Sequence, residues 1–169
     1  TGFFLDQRDN RQLLRQYCKD KRVLNAFCYS GGFSMYALQS GAHSVDSVDA
    51  SAKAIALLEQ NLQPNNLATA SHQSYKMDVL QFLKQQEIPY EVMVLDPPAY
   101  AKTINKRHRA VQAYKRLNVA GMKCLKKGGI LFTFSCSQVV DNALFYNTIT
   151  AAAIEARRQV RVLHRLTQP

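Results

Sequence analysis

Two short apolar runs in this chain each end in side chains that can do chemistry. Residues 92–95 (VMVL) run directly into Asp96 and two prolines, and residues 130–134 (ILFTF) run into Ser-Cys-Ser at 135–137. Runs of this length and content are typical of buried strands in an α/β protein. Ligands of open α/β sheets bind outside the carboxyl ends of the strands. We therefore expect the aspartate and the thiol of Cys136 to meet in one cleft.

Strand-like and helix-like segments alternate along the chain, which predicts a single α/β domain over residues 1–169. The expected sheet is Rossmann-like, doubly wound and mainly parallel, in the order 3-2-1-4-5 with a sixth strand beyond the fifth. A turn is expected at 126–129, and Asp6 is the expected N-cap of the first helix. The predicted strands are 23–27, 44–49, 74–77, 92–95, 130–134 and 160–166, and the predicted helices are 6–19, 33–40, 51–62, 79–86, 110–125 and 142–157.

The composition favours a partner rich in phosphate. The 169-residue chain has 22 Lys and Arg against 12 Asp and Glu, a net charge of +10, and nucleic acid is the commonest polyanionic partner. No apolar stretch approaches the roughly 20 residues of a membrane span and no secretory signal is seen, so we expect a cytoplasmic protein with no membrane partner. The four cysteines and four histidines show no metal-ligand spacing, so no metal is expected. Thr1 is not an initiator methionine, and we expect a piece of a longer protein.

Three successive strand ends indicate a nucleotide-like cofactor. The first strand ends in a turn that contains Gly31 and Gly32 and precedes a helix, where backbone N–H groups face a ligand. The turn has no G-x-G-x-x-G fingerprint, and a tight turn is needed here in any such fold. Asp49 ends the second strand, where an acid commonly accepts from ribose hydroxyls, and Asp78 follows the third. Each acid is equally compatible with a helix N-cap, but their joint placement favours a cofactor rim.

Four segments together resemble a known family. They are NAFCYSGGFS at 25–34, VDAS at 48–51, DPP at 96–98 and FSCS at 134–137. These segments resemble class I S-adenosyl-L-methionine-dependent methyltransferases, and more narrowly the bacterial 23S ribosomal RNA 5-methylcytosine methyltransferases of the RlmI type. The resemblance covers essentially the whole chain, including TGFFLDQR at 1–8. It implies an RNA-binding PUA domain and a β-rich segment upstream, and a seventh, antiparallel strand after Pro169.

The resemblance also implies how the cofactor is held. The methionine moiety would lie against the 25–32 turn, Asp49 would hold the ribose hydroxyls, and Asp78 with the Val79 amide would meet the adenine edge. Many methyltransferases have a glycine where Tyr29 stands, whereas Asn25 in place of an acid fits this family better than the broader class. The cofactor-binding residues implied in this way are Asn25, Phe27, Ser30, Gly31, Gly32, Asp49, Ala50, Ser51, Asp78, Val79 and Asp96.

Methylation of cytosine C5 needs an activated cysteine, because C5 alone does not attack a sulfonium methyl and a thiolate added to C6 makes C5 nucleophilic. Cys136 is the expected nucleophile, and Asp96 is expected to meet the N3/N4 edge of the base and to stabilise charge during addition. Related enzymes carry a second cysteine just after the DPP prolines, but Ala99 stands there, so another base or water must assist release. The other cysteines, at 18, 28 and 124, are expected to be small buried hydrophobes.

A basic segment follows the Asp96 strand end and is expected to line the approach of RNA. Its Lys and Arg side chains would contact phosphates, which position a nucleic acid without reading its sequence. Tyr100 and Tyr114 are expected to stack on an extruded base. A solvated loop and helix face is the alternative interpretation. The expected substrate-binding residues are Pro98, Tyr100, Lys102, Arg107, Arg109, Tyr114 and Lys115.

The predicted function is therefore methyl transfer to cytosine C5 of 23S ribosomal RNA, with a homodimer left open. Two alternatives remain within the sequence. One is an rRNA N-methyltransferase acting on guanine N7 or an exocyclic amine, although the aromatic that such amine-directed enzymes carry directly after the second proline is displaced here to Tyr100. The other is a non-catalytic RNA-binding subunit, against which the intact Asp49, Asp96 and Cys136 argue.

Overall fold

A five-stranded parallel sheet forms the centre of the domain. The computed structural model describes residues 7–67 and 71–166. The order of the strands is β3-β2-β1-β4-β5, and every neighbouring pair is parallel, which confirms the predicted fold class and the order of the first five strands. The strands are β1 Arg22–Ala26, β2 Ser44–Asp49, β3 His72–Lys76, β4 Tyr90–Leu95 and β5 Leu125–Thr133.

Six α-helices in the described part of the chain flank this sheet. Three of them begin at a side chain that accepts a hydrogen bond from the first turn: Ser51 for α3, Asp78 for α4 and Asp141 for α6. The predicted cap Asp6 lies outside the described residues. Within them, α1 is preceded by Gln7. The helices are α1 Arg8–Cys18, α2 Gly32–Gln39, α3 Ala52–Leu62, α4 Val79–Lys84, α5 Arg107–Lys123 and α6 Asn142–Glu155, with a short 3-10 turn at Ile104–Lys106.

The alternation of side chains along each strand divides the core between the two faces of the sheet. On one face, Val23 and Phe132 pack with Leu14 of α1 and Leu38 of α2. The other face packs against α4 and α5, through the side chains of Leu24, Met93, Leu95, Phe82 and Leu117. Both faces are covered, so β4 (YEVMVL) and the second half of β5 (ILFT) are nearly continuous apolar runs.

The register brings the carboxyl ends of four strands, β2, β1, β4 and β5, together. Ala26 of β1 pairs with Val48 of β2 and with Leu95 of β4, and Leu95 pairs in turn with Thr133 of β5. The backbone N–H of Phe134 donates to Leu95 O over 3.0 Å, so the pairing continues to the end of the apolar run. Whatever follows Ala26, Leu95 and Phe134 must therefore lie at one edge of the sheet.

The expected turn at 126–129 is wrong, because these residues belong to β5. Leu125 pairs with Tyr90 and Ile130 pairs with Val92, so residues 126–129 lie opposite Glu91 alone and β5 has three more residues than β4 between these two pairs. Gly128 has φ +78°, and a Cβ on Gly129 would lie 2.9 Å from Glu91 O. The two glycines thus permit a bulge within the strand where the sequence pattern indicated a turn before it.

The expected sixth strand is also wrong for the described residues, since 160–166 carry no strand assignment. The segment lies against the domain through side chains: Arg158 Nη2 donates to Lys126 O over 3.0 Å, and His164 Nε2 lies 2.7 Å from Tyr17 OH. Val160, Val162 and Leu163 are 54–58% exposed. Alternating apolar and polar residues form a strand only where a neighbouring strand pairs with their backbone groups. The backbone of β5 does not pair with residues 160–166.

Candidate active site

The turn between β1 and α2 has an unusual backbone. Phe27, Tyr29 and Gly31 have φ values of +60°, +46° and +80°. The left-handed conformation costs a side-chain-bearing residue about 1–2 kcal/mol, so this turn needs support from its surroundings. At Gly31 a Cβ would lie 2.7 Å from Cγ of the buried Leu58, so both the backbone angle and the close packing require glycine.

Asp49 holds this turn from the end of β2. Its Oδ2 accepts the backbone N–H of Tyr29 over 3.1 Å, and its Oδ1 accepts the N–H of Ser51 over 2.9 Å. Ser51 in turn caps α3 by accepting the N–H of Ala54. Asp49 is half-buried, whereas Ala50 and Ser51 are exposed. The carboxylate is therefore fixed in place with lone pairs remaining, because an ionised carboxylate has about four acceptor positions.

A network of hydrogen-bonded polar side chains lies beneath the turn, and the sequence motifs do not predict it. Asn25 Nδ2 donates to Ser34 Oγ over 2.8 Å, Ser34 Oγ shares a hydrogen bond with Ser47 Oγ, and Ser47 Oγ lies 2.8 Å from His72 Nε2. Asn25 Oδ1 is buried and has no hydrogen-bond partner within the described ranges. Above this network, Asn61 Nδ2 of α3 donates to the Ser30 carbonyl over 2.9 Å and ties the turn to α3.

Asp78 and Val79 lie at the end of β3. The Asp78 side chain accepts the N–H of Gln81 over 3.0 Å and thereby caps α4, which is the structural role the sequence left open for it. Val79 is 2% exposed, so only its backbone can face a ligand. The pKa of Tyr100 is raised to about 12, first by burial and then by the nearby Tyr114 and Asp78. Because the strands from β3 to β4 are all parallel, their carboxyl ends lie at the same edge of the sheet.

Asp96 and Cys136 meet at the ends of β4 and β5, as their positions in the sequence predicted. Cys136 Sγ lies 3.9 Å from Asp96 Oδ1, and Cys136 is exposed. The other three cysteines differ: burial raises the pKa of the Cys18 thiol to about 12 and raises the pKa values of the Cys28 and Cys124 thiols as well. Of the four cysteines, Cys136 is the exposed one, Cys124 is half-buried, and Cys18 and Cys28 are buried.

The two loops that carry these groups are joined by Ser137. Its Oγ accepts the backbone N–H of Ala101 over 3.2 Å and lies 2.9 Å from Tyr114 OH. Ser137 is 3% exposed, and Ala101 is equally buried. The sequence motif pointed to the cysteine and gave no separate role to this serine, although its position next to Cys136 was a usable signal.

The expected RNA-binding side chains separate into two groups. Pro98, Lys102, Arg107 and Arg109 are exposed on the loop and helix start that follow Asp96, and Tyr100 is half-buried beside them. These five remain available to a substrate that binds at the carboxyl ends of β4 and β5.

Tyr114 and Lys115 correct the sequence-based expectation. Tyr114 is fully buried, with its ring 4.7 Å from that of Tyr100 and 5.6 Å from that of Phe145, so it cannot stack on a base. Its spacing from Ala110 and Leu117 places it on the buried stripe of α5. Lys115 Nζ forms an ion pair with Glu155 Oε2 at 2.9 Å and so joins α5 to α6 instead of lining the cleft.

Comparison with known proteins identifies the family. The model of the family described as Conserved hypothetical protein 95 matches residues 10–139, which include the β1 turn, Asp49, Asp96 and Cys136. The chain belongs to this family. The matched range ends shortly after the Cys136 loop, so the family model covers the whole of the rim described above.

Curated relatives of this chain confirm the resemblance of its motifs to ribosomal RNA methyltransferases. It is 41% identical over 171 aligned residues to ribosomal RNA large subunit methyltransferase I of Aeromonas hydrophila and 42% identical to that of Tolumonas auensis. Each alignment covers 99% of this chain and 43% of the relative. The chain therefore spans less than half the length of the relatives it matches.

A solved structure supports the same grouping of this family member. SMU.776, described as a candidate methyltransferase complexed with SAH, superposes with a TM-score of 0.80 at 28% identity. The match covers 90% of this chain and 41% of that one.

No helix among the described residues is long and apolar enough to cross a membrane. Within the same residues, no group of three or more His, Cys, Asp or Glu is arranged to hold a metal ion.

Proposed function

We propose that this domain is the catalytic part of an S-adenosyl-L-methionine-dependent methyltransferase that acts on C5 of a cytosine in large-subunit ribosomal RNA of the 23S type. The observation that carries the proposal is the position of the exposed Cys136 thiol, 3.9 Å from Asp96 Oδ1, at the edge of the sheet that also carries the β1 turn. The relatives named as rRNA large subunit methyltransferase I, and the structural neighbour complexed with SAH, support the same cofactor and substrate class.

The residues of the β1 turn fit S-adenosyl-L-methionine. The Asp49 carboxylate is oriented by two backbone N–H groups and keeps acceptor positions for a pair of ribose hydroxyls. The buried Oδ1 of Asn25, which has no partner among the described residues, is an acceptor beneath the turn. The turn residues Phe27, Ser30, Gly31 and Gly32 would then lie along the methionine part, while Ala50, Ser51, Asp78 and Val79 border the adenosine. When bound, the cofactor supplies an electrophilic methyl group.

The chain's own contribution to the chemistry is a reversible thiol addition. The Cys136 thiolate forms a bond from Sγ to C6 of the cytosine, and the electron pair of the C5–C6 double bond moves to C5. Carbon C5 would then take the methyl group, while the electron pair of the broken S–CH3 bond stays on the cofactor sulfur and SAH leaves, and C5 would lose its proton to solvent. The electrons of the C5–H bond restore the double bond as the Sγ–C6 bond breaks and the thiolate is regenerated. No oxidant or reductant is needed, because each bond made is matched by one broken.

Asp96 orients the base for this addition. Its carboxyl group lies at the end of β4, within reach of a ring that is attacked by Cys136 from β5. Contact with the N3/N4 edge of cytosine fixes which face meets the thiol, and the proton that Asp96 takes up from the Cys136 thiol is shared with N3 as negative charge develops there. One side chain thereby recognises cytosine and stabilises the adduct. The exposed Pro98 and half-buried Tyr100 border the space that the base would enter.

Exposed cations extend from this cleft along the expected path of the RNA. Lys102, Arg107 and Arg109 follow Asp96 in the chain and are all exposed. Their contacts to phosphate would hold the strand while the target nucleotide turns into the site. We further propose that the remainder of the longer protein includes an upstream RNA-binding domain of the PUA type and that the enzyme works in the cytoplasm. Dimerisation through this domain forms no part of the proposal.

The N-methylation alternative is less well supported. An enzyme that methylates guanine N7 or an exocyclic amine uses a nitrogen lone pair that needs no thiol addition. Such a mechanism would leave the accessible Cys136 beside Asp96 without a function. The non-catalytic alternative likewise leaves the pairing of an exposed thiol with an acid unexplained.

The decisive experiment compares two thiol removals in the full-length protein. Large-subunit rRNA from cells that lack the protein is incubated with the enzyme and labelled cofactor, and 5-methylcytosine is quantified. We expect Cys136→Ala to abolish methylation while its affinity for SAH stays within about twofold, since the thiol acts on the base. Cys124→Ala, which removes a half-buried thiol that donates to Leu83 O, is the matched control and should remain active. Formation of 5-methylcytosine by Cys136→Ala would refute the proposal.

A further inference from the structure

We propose that Ser137 is the positioning residue that sets Cys136 against Asp96, an inference that rests on the proposed function. Ser137 is adjacent to Cys136 in the chain, but its side chain is 3% exposed, whereas the neighbouring thiol is exposed. It therefore does not meet the substrate. Its hydroxyl is engaged at a junction of three segments, which we call the Ser137 clamp: Ser137 itself, the backbone N–H of Ala101 and the hydroxyl of Tyr114.

The clamp joins the loop of the nucleophile to the loop of the acid. Ala101 lies five residues after Asp96 and donates its backbone N–H to Ser137 Oγ over 3.2 Å. Ser137 O also accepts the N–H of Val140 over 2.9 Å, so the Cys136 loop is folded back on itself at the same point. Parallel strands fix the start of each loop, and the clamp fixes a second point on each. Between those points the distance from Sγ to the carboxylate has little freedom.

The third member of the clamp anchors both loops to the protein interior. Tyr114 is fully buried on α5, and its hydroxyl lies 2.9 Å from Ser137 Oγ. Its ring contacts Tyr100 of the acid loop at 4.7 Å between centroids, and Phe145 of α6 at 5.6 Å. A buried tyrosine hydroxyl needs a partner, and here the partner is the residue next to the nucleophile. Tyr114 thus acts on the site through Ser137 and not through the base.

Loss of the clamp should lower the rate of catalysis and leave the affinity for the cofactor unchanged. Without the Ser137 hydroxyl, the Ala101 N–H and the Tyr114 hydroxyl would be buried without this partner, and the two loops would move apart to reach water. A displacement of about 1 Å between reacting groups costs on the order of 100-fold in rate. The β1 turn and Asp49 contact neither loop through the clamp, so SAH affinity should be preserved.

The test measures adduct formation in the full-length enzyme. Ser137→Ala and Tyr114→Phe are compared with wild type and with Thr150→Ala, a control that removes an exposed hydroxyl bonded to Tyr146 O on α6. We expect kcat, and the rate of covalent trapping by RNA carrying 5-fluorocytosine, to fall about 10- to 100-fold in Ser137→Ala and less in Tyr114→Phe. The KM for RNA and the affinity for SAH should stay within twofold. The double variant should be no worse than Ser137→Ala, and Ser137→Thr, which keeps the hydroxyl, should recover part of the rate.

The possible outcomes separate the clamp from the proposed function. Wild-type trapping rates in both Ser137→Ala and Tyr114→Phe would overturn the clamp, as would equal losses of SAH affinity and trapping. If Ser137→Ala does not fold, Tyr114→Phe, which keeps the packing of the ring, decides the matter alone. Activity retained by Cys136→Ala would instead refute the thiol mechanism. Loss of activity in Cys136→Ala with normal Ser137→Ala would refute only the clamp.

Discussion

The backbone N–H of Tyr29 donates to Asp49 Oδ2 over 3.1 Å, and this bond joins the β1 turn to the end of β2. Tyr29 has φ +46°, a conformation that glycine adopts more easily, so the carboxylate contributes to holding a strained turn. A ligand that bonds to Asp49 therefore binds to a group already fixed by the protein. Preorganisation of this kind lowers the entropy cost of binding.

Substitution of Asp49 should weaken cofactor binding. Asp49→Asn removes the charge and one oxygen acceptor, and hydrogen bonds to a charged group contribute about 1.5–3 kcal/mol, which corresponds to roughly 10- to 100-fold in affinity. Calorimetry with SAH measures the effect. Asp141→Asn is the matched control, because Asp141 caps α6 away from the β1 turn and should leave SAH affinity unchanged. Equal affinities in wild type and Asp49→Asn would contradict the role assigned to Asp49.

Two glycines with nearly equal backbone angles allow strain to be separated from packing. Gly31 has φ +80° and no room for a Cβ, whereas Gly128 has φ +78° and nothing within 4 Å of the added atom. Gly128→Ala should lose about 1–2 kcal/mol of unfolding free energy from the left-handed angle alone. Gly31→Ala should lose clearly more, because Leu58 must also move. Urea denaturation of both variants tests this, and equal losses would show that the packing at Gly31 has no consequence.

The exposed arginines after Asp96 should contribute to the salt dependence of RNA binding. Replacing Arg107 and Arg109 with Gln removes two phosphate contacts, so the slope of log Kd against log salt should become shallower by about 1.5. The control pair Lys123→Gln and Lys127→Gln removes the same charge from exposed residues at the far end of α5 and in the β5 bulge. It should change the slope little. If both pairs alter the slope equally, the arginines act only through net charge.

His72 makes the stability of the domain depend on pH. Burial lowers the pKa of His72, while Asp46 and Glu59 raise it by a smaller amount. Because the unfolded histidine titrates near 6.5, the unfolded state binds the extra proton first, and stability should fall as pH decreases below about 6.5.

A comparison of the wild-type protein with His72→Gln isolates the contribution of His72 to the pH dependence of stability. Urea denaturation at pH 7.5 and 5.5 should show a loss of unfolding free energy that is smaller in His72→Gln, whose amide can still reach Ser47. The pKa of Glu91 is lowered first by the backbone N–H of Arg22 and then by Lys126, and the pKa of Glu155 is lowered by Lys115; both groups are present in the two proteins and affect them alike. An equal loss in both proteins would exclude His72 as the cause.

The sheet, and the meeting of Asp96 and Cys136 at its edge, could be predicted because they follow from local patterns. Apolar runs that end in Asp96 and in Ser-Cys-Ser mark strand ends, and parallel strands bring their carboxyl ends to one edge. The sixth strand could not be predicted in the same way. Residues 160–166 have a suitable alternation, but a strand depends on a partner backbone that the local sequence does not reveal.

Side-chain direction was the second source of error. Tyr114 and Lys115 were grouped with the cleft because they follow Asp96 in a basic stretch. The helix turns Tyr114 into the core and Lys115 toward Glu155. The spacing of buried residues along α5 was sufficient to place Tyr114, since Ala110, Tyr114 and Leu117 share one stripe. The partner of Lys115 lies on another helix and depends on tertiary packing.

Covalent trapping of the enzyme on its RNA substrate tests directly whether Cys136 forms a bond with the base. RNA carrying 5-fluorocytosine at the target is incubated with the full-length enzyme and S-adenosyl-L-methionine, and the adduct is digested and mapped by mass spectrometry. Fluorine at C5 blocks the proton loss that precedes thiol release, so the Sγ–C6 bond should persist. We expect a single RNA-linked peptide whose modified residue is Cys136. Linkage at Cys18, Cys28 or Cys124, or turnover without any adduct, would contradict it.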